Sequence, residues 1–269
     1  MAITTTSGYR TQGGRLVDIA KSLTSYTANK WYSLWLNTPG AGAAPSTAAT
    51  CDSTTAGGIP GVPATSSSSL WLRSTNFVAG DGAFTLILCD RLSHQGGLSG
   101  DTAAPQATNL PTAALTRYTD GAGVMAMVEC YSAIGATPTT FSISYTDQDG
   151  NSGTSPLSQA IGGTGDAEAG RMWLVPLAAG DSGVRAAANL TLTGATGTAG
   201  NLGITLFKPL GIYSIGARTR KGVDFDEFYT KFRMTEIEPG ACLTWLQVSP
   251  SLAGLALSQA FGQLDIIEG

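Results

Sequence analysis

Phe141-Ser142-Ile143-Ser144-Tyr145-Thr146, followed by Asp147-Gln148-Asp149-Gly150-Asn151-Ser152-Gly153, is the stretch that decides the fold. Its first half alternates a large apolar residue with a hydroxyl residue. That period of two puts Phe141, Ile143 and Tyr145 on one face of a strand and Ser142, Ser144 and Thr146 on the other. The second half carries oxygen-bearing side chains at alternate positions, as a calcium loop would. Its glycine falls at position four rather than six, however, and position twelve is Ser158 where an EF-hand needs a bidentate Glu. A hairpin turn on Asp149-Gly150 is the simpler reading.

The same grammar of short apolar runs between Gly, Pro, Ser, Thr and Asn recurs at 31–36, 69–73, 84–89, 124–132, 140–146, 172–177, 188–192, 202–207, 242–248 and 255–261. The expectation is an all-β protein, a jelly-roll or β-sandwich of about ten short strands with long Gly/Ala/Pro/Thr loops and little helix. Two short helices are predicted. One covers 16–23, where Leu16, Ile19, Ala20 and Leu23 keep a helical spacing; the other covers 224–231, with Asp226 and Glu227 in its first turn. The organisation expected is an N-terminal segment (1–68) with a helix, a strand and a long loop, a β core (69–211), and a C-terminal β segment (212–269) with a charged excursion. Stretches 38–68 and 96–114 lack apolar periodicity. The first, which has little to bury, and the terminal segment after Arg218 are expected to be ordered mainly by neighbouring subunits.

Composition narrows the function classes. Of 269 residues, 35 are Gly and only 13% are charged, with a formal net charge of −4. Electrostatic attraction to nucleic acid or anionic lipid is therefore not available globally. No run of eighteen apolar residues suggests a membrane span. The opening Met1-Ala2-Ile3-Thr4-Thr5-Thr6 lacks the basic and apolar regions of a secretory signal, so folding in a cytoplasm is expected. A single histidine, His94, removes most routes to a His-based metal site. Cys51, Cys89, Cys130 and Cys242 are scattered without a C-x-x-C pair and read as reduced, buried thiols.

Gly180-Asp181-Ser182-Gly183 matches the nucleophile motif of chymotrypsin-like proteases, and His94 precedes it in the required order. The surroundings do not match: Leu92-Ser93-His94-Gln95 lacks that family's histidine context, and Val184 stands where a glycine should follow. A turn is the expected structure, with a serine hydrolase at Ser182 the third of three functional readings. Gly194-Ala195-Thr196-Gly197-Thr198-Ala199-Gly200 has no lysine and no following helix, so it reads as a loop and not a phosphate site. Trp31, Tyr32 and Trp35 alternate as a strand would and read as core more readily than as a ligand platform. The charge-dense segment holds Arg218, Arg220, Lys221, Asp224, Asp226 and Glu227, which are the candidate partner-contact residues, able to fix register at an interface. No catalytic, cofactor-binding or metal-ligating set is expected, because no titratable residues converge along the chain.

Several segments resemble structural proteins of tailed bacteriophages: Leu115-Thr116-Arg117-Tyr118-Thr119-Asp120-Gly121-Ala122-Gly123-Val124, Ser144-Tyr145-Thr146-Asp147-Gln148-Asp149-Gly150-Asn151, Gly180-Asp181-Ser182-Gly183-Val184-Arg185, Leu88-Cys89-Asp90-Arg91-Leu92 and Leu206-Phe207-Lys208-Pro209-Leu210. The resemblance spans roughly residues 30 to 212. It implies a β-rich, non-enzymatic virion protein without cofactors, such as a capsid decoration or cement protein assembled in the host cytoplasm. Expected partners are the major capsid protein and copies of itself as a homotrimer, with no direct nucleic-acid binding and no membrane. A tail-associated or receptor-binding module recognising carbohydrate through exposed Trp and Tyr is the alternative.

Overall fold

The computed structural model describes residues 13–23, 27–79, 84–157, 159–215, 223–226, 234–248 and 259–269. The chain is all-β, and its described residues hold seventeen strands where the sequence suggests ten. In order they are β1 (Gly14–Ser22), β2 (Trp31–Ser33), β3 (Ala49–Thr50), β4 (Leu70–Ala79), β5 (Phe84–Leu98), β6 (Gln106–Ala107), β7 (Met125–Ser132), β8 (Thr139–Asp147), β9 (Ser152–Thr154), β10 (Gln159–Ile161), β11 (Arg171–Leu174), β12 (Val184–Leu192), β13 (Asn201–Ile215), β14 (Val223–Asp226), β15 (Thr235–Ile237), β16 (Leu243–Val248) and β17 (Gln259–Glu268). The only helical element among the described residues is one 3-10 turn at Leu110–Thr112. No helix there is long and apolar enough to cross a membrane.

Six of these strands close a ring. β5 pairs β13, β13 pairs β7, β7 pairs β11, β11 pairs β2, β2 pairs β16, and β16 returns to β5, every pair antiparallel. Cross-strand partners share a face, so the pairs Leu246–Ile87, Leu246–Ser33, Met172–Glu129, Thr205–Met127 and Phe207–Arg91 define the inside. A six-stranded barrel leaves room only for side chains. Ile87, Cys89, Met127, Met172, Phe207 and Leu246 fill its middle. Trp31, Leu174 and Val248 sit half-buried at one mouth, and Trp35, Cys51, Tyr131 and Cys242 cluster at the other.

Two further sheets cover the barrel's outside. Strands β1-β17-β4-β14, with β15 on β4, bury Val17, Ile19, Leu70, Leu72, Leu264 and Ile266 against Leu86, Leu88, Tyr213, Leu243 and Trp245. Strands β10-β8-β12-β6, with β9 on β8, bury Phe141, Ile143, Tyr145, Leu190 and Leu192 against Val128, Trp173, Leu202, Ile204 and Leu206. The inward triplet Phe141, Ile143 and Tyr145 is the one the period of two assigns to the core. Each such side chain contributes about 1.5–3 kcal/mol of burial. The hairpin also forms: β8 and β9 pair across Asp147–Asn151, and Gly150 takes the left-handed backbone (φ +88°) that glycine adopts freely.

Segment 16–23 is strand β1, not a helix. Its nine residues pair without a break along β17, from Gly14–Ile267 to Ser22–Gln259. Val17, Ile19 and Lys21 face the core, and the two β-branched residues at period two outweigh the helical spacing once a partner strand is available. The second predicted helix is likewise strand where it is described, since Val223–Asp226 is β14, paired with β4; the remainder of 224–231 lies outside the described residues. Strands β5 and β13 run fifteen residues each, through Gly96, Gly97, Pro209 and Gly211, which read as breaks in sequence. Register shifts at Leu202/Ile204 and Pro209/Gly211 absorb these residues as bulges.

Loop 38–68 has more ties to its own chain than its sequence suggests. Cys51, Ile59 and Val62 are buried. Its backbone bonds to the barrel and its flanks through Cys51 N–Leu92 O (2.9 Å), Ser53 N–Gly240 O (2.9 Å) and Ile59 N–Leu243 O (2.7 Å). The buried Lys21 ammonium donates to the carbonyls of Asn37 and Gly40, at 3.1 and 2.8 Å. Burial and hydrogen bonds within the chain thus offset part of the loop's ordering entropy.

Candidate functional site

Of the predicted contact residues, Arg218, Arg220, Lys221 and Glu227 lie outside the described residues. Asp224 and Asp226 fall on β14, opposite Asn76 and Ser74 of β4. Because β14 ends the β1-β17-β4-β14 sheet, both sit along its edge. Ser182 is exposed in the turn before β12, where its backbone N–H donates to Gln148 Oε1 at 2.8 Å. His94 belongs to β5 in the barrel wall, and its Nδ1 accepts a hydrogen bond from Arg91 Nε at 2.9 Å. A histidine held by a guanidinium lacks the carboxylate orienter of a triad. Asp147 Oδ1 accepts from the backbone N–H groups of Asp149 and Asn151, both at 2.8 Å, so the carboxylate caps its own turn. Among the described residues no group of three His, Cys, Asp or Glu could hold a metal ion. Tyr32 and Trp35 are buried, as the core reading has it.

Titratable residues do converge, against the expectation from the linear sequence, at the barrel mouth capped by Trp35. Arg91, wholly buried, donates from Nη2 to Glu129 Oε2 (2.8 Å), Tyr131 Oη (2.7 Å) and Thr205 Oγ1 (3.2 Å). The hydroxyls of Tyr131 and Thr205 donate in turn to Glu129 Oε2, at 2.9 and 2.7 Å. The guanidinium carbon lies over the Trp35 ring, 4.2 Å from its centroid, a cation–π contact that gains from desolvation. Just outside the ring, Arg117 grips Asp90 with two bonds, Nε–Oδ2 at 2.7 Å and Nη2–Oδ1 at 2.8 Å. A third group joins Arg171 and Lys30 to Asp166, at 2.5 and 3.0 Å, and Tyr32 donates to Glu168 beside it.

The sequence signal for the first two groups is a charge embedded in an apolar strand, as in Leu88-Cys89-Asp90-Arg91-Leu92 and Val128-Glu129-Cys130. Such a charge on a buried strand must be paired, and the partner, 38 positions away for Arg91 and Glu129, is invisible to local reading. Arranged this way the groups brace strands: β5 to β7 and β13 through Arg91, and β5 to the 108–124 loop through Arg117.

Burial pushes the Glu129 carboxyl upward, but the Arg91 charge and hydrogen bonds from Arg91, Thr205 and Ser33 override it and hold the group below the ordinary range. A depressed folded value contributes stability above the unfolded value near 4.3, lost as pH falls through the folded value. The Tm difference between wild type and Glu129→Gln should therefore be widest above about pH 5 and shrink below about pH 4. A gap that stays constant down to pH 3 would show that Glu129 is not ionised in the fold.

Neither a protein-family model nor a curated protein sequence matches the chain. Among solved structures it is similar to that of the infectious bursal disease virus Gt strain, with 9% identity over 96% of this chain and 82% of that one, at a TM-score of 0.18. The VP2 subviral particle of the same virus gives 8% identity, the same coverages and a TM-score of 0.18. Scores this low fall short of a common fold.

Proposed function

We propose that the chain is a non-enzymatic structural protein of a tailed-phage virion that binds the capsid surface as a decoration or cement protein and packs against copies of itself. The observation that carries this reading is the outer face of the β1-β17-β4-β14 sheet. There Ala20, Phe261 and Val78 stand side by side across three strands, with Phe261 50% and Val78 42% exposed, and Leu16 of β1 is 62% exposed. An uncharged apolar row of this kind is what a contact surface presents, and it supports the reading. Asp224 and Asp226 lie along the β14 edge of the same sheet, which supports a role for these two residues in setting orientation at that contact. The use of Arg91, Glu129, Arg117 and Asp90 as internal braces adds support, as does the resemblance to phage structural proteins.

Copy number and symmetry in the particle that contains the chain provide the test. Quantitative mass spectrometry and electron cryomicroscopy should find it in fixed multiples of the shell lattice, with the Phe261 and Val78 face against a neighbour, and Phe261→Arg should reduce its occupancy. A few copies at one vertex would favour the tail-associated reading. Hydrolytic activity that disappears in a folded Ser182→Ala variant would favour the hydrolase.

A further inference from the structure

Strands β3 and β16 lie end to end along one edge of β5, and their ends meet at two cysteines. β3 pairs with His94 and Ser93, and the next residue, Cys51, donates its N–H to Leu92 O at 2.9 Å. β16 pairs from Asp90 onward, and the residue before it, Cys242, accepts at its carbonyl from Arg91 N at 2.8 Å. The two cysteines thus face adjacent positions of one strand. The Arg117–Asp90 pair holds both: Arg117 Nη2 donates to Cys51 O at 2.9 Å, and Asp90 Oδ1 accepts from Cys242 N at 2.9 Å. Their thiols are free and buried in one cluster with Trp35 and Tyr131.

We propose that Cys51 and Cys242 form an oxidation site, a latent disulfide closed by peroxide that staples the loop plugging the barrel mouth to β16. This does not depend on where the protein works, so it stands or falls apart from the virion reading. Within the coupled pair the neighbouring Cys242, with His94 and Arg91, pulls the Cys51 thiol down against the push of burial, while Cys242 is pushed up; Cys51 is therefore assigned as the attacking sulfur and Cys242 as the resolving one. A cavity of about 370 Å³ lined by Trp35, Ala49, Thr55, Ala56 and His94 lies over this mouth and is large enough for hydrogen peroxide; the two cysteines are buried behind its Trp35 wall, so peroxide reaches Cys51 through a local opening there. The Cys51 sulfur attacks a peroxide oxygen, the O–O bond breaks, and the leaving hydroxide takes up a proton to become water. The resulting sulfenic acid is then attacked by the Cys242 sulfur; its hydroxyl leaves as a second water with the Cys242 proton, and the S–S bond forms. Two thiols lose two electrons, and one peroxide becomes two waters. Cys89 and Cys130 are buried in other clusters, and burial raises both thiols, so they stay reduced.

The test uses the intact chain, treated with hydrogen peroxide, unfolded and alkylated with iodoacetamide. Free thiols should fall from four to two, non-reducing peptide mapping should recover a Cys51–Cys242 linked peptide, and Tm should rise by roughly 5 °C or more, reversibly with dithiothreitol, as expected for a cross-link closing so long a loop. Cys242→Ser should give no linked peptide and instead leave Cys51 oxidised alone. Four free thiols after treatment, a link through Cys89 or Cys130, or a link with no gain in Tm would each overturn the proposal.

Discussion

Arg91→Met should destabilise the protein by about 3–5 kcal/mol, because it strands the Glu129 carboxylate at the barrel mouth with only the Tyr131 and Thr205 hydroxyls and Ser33 for company. The double variant Arg91→Met/Glu129→Leu should recover most of that loss. Replacing a whole buried pair with apolar groups of similar size is often neutral, whereas removing one partner is not. Urea unfolding of wild type, both single variants and the double variant checks this, with unchanged m-values showing that only stability has moved. A double variant no more stable than Arg91→Met would mean that the hydroxyls around the pair, and not the pair itself, brace the strands.

Trp35→Ala should lose about 3–5 kcal/mol, at the upper end of what core aromatics contribute. The indole is wedged beneath Gly42 and Gly57, both of which need their missing Cβ to admit it, and its Nε1 donates to Ala43 O at 2.9 Å. It also stacks on Arg91 and meets His94 edge to face at 5.5 Å. Its removal opens the mouth of the barrel. Native-state labelling of Cys51 by iodoacetamide should accelerate well beyond what the stability loss alone predicts, while Cys89 and Cys130 stay protected. Equal acceleration at all four cysteines would show global unfolding in place of a local opening.

The all-β class was legible because its evidence is local: Phe141, Ile143 and Tyr145 repeat at a spacing that only a strand can bury on one face. Strand β1 was not, since Leu16, Ile19, Ala20 and Leu23 satisfy a helical spacing, while only Val17 and Ile19 mark the extended one. The deciding partner, β17, lies some 240 residues downstream. The continuations of β5 and β13 were hidden by Gly96, Gly97, Pro209 and Gly211, whose local preference for breaks is spent on bulges inside a longer ladder. The loop at 38–68 looked empty because single buried residues such as Cys51, Ile59 and Val62 make no pattern. The charged cluster at the barrel mouth was the least legible of all. Arg91, Glu129 and Thr205 come from three strands, and nothing near any one of them names the others.

Ring closure also has a timetable. β2, made within the first 33 residues, finds one of its two ring neighbours only in β16, which ends at Val248. At 5–20 residues per second, the earliest barrel strand waits roughly ten to forty seconds on the ribosome before the last is synthesised. Until β16 is made, the lumen residues Met127, Met172 and Phe207 have no sealed interior to enter as they emerge, and the unpaired sides of β2 and β5 are open to other chains. Barrel closure therefore waits for β16 and is slow by topology. Yield of soluble protein should depend on translation speed, temperature and chaperone supply more steeply than the stability of the finished barrel would suggest.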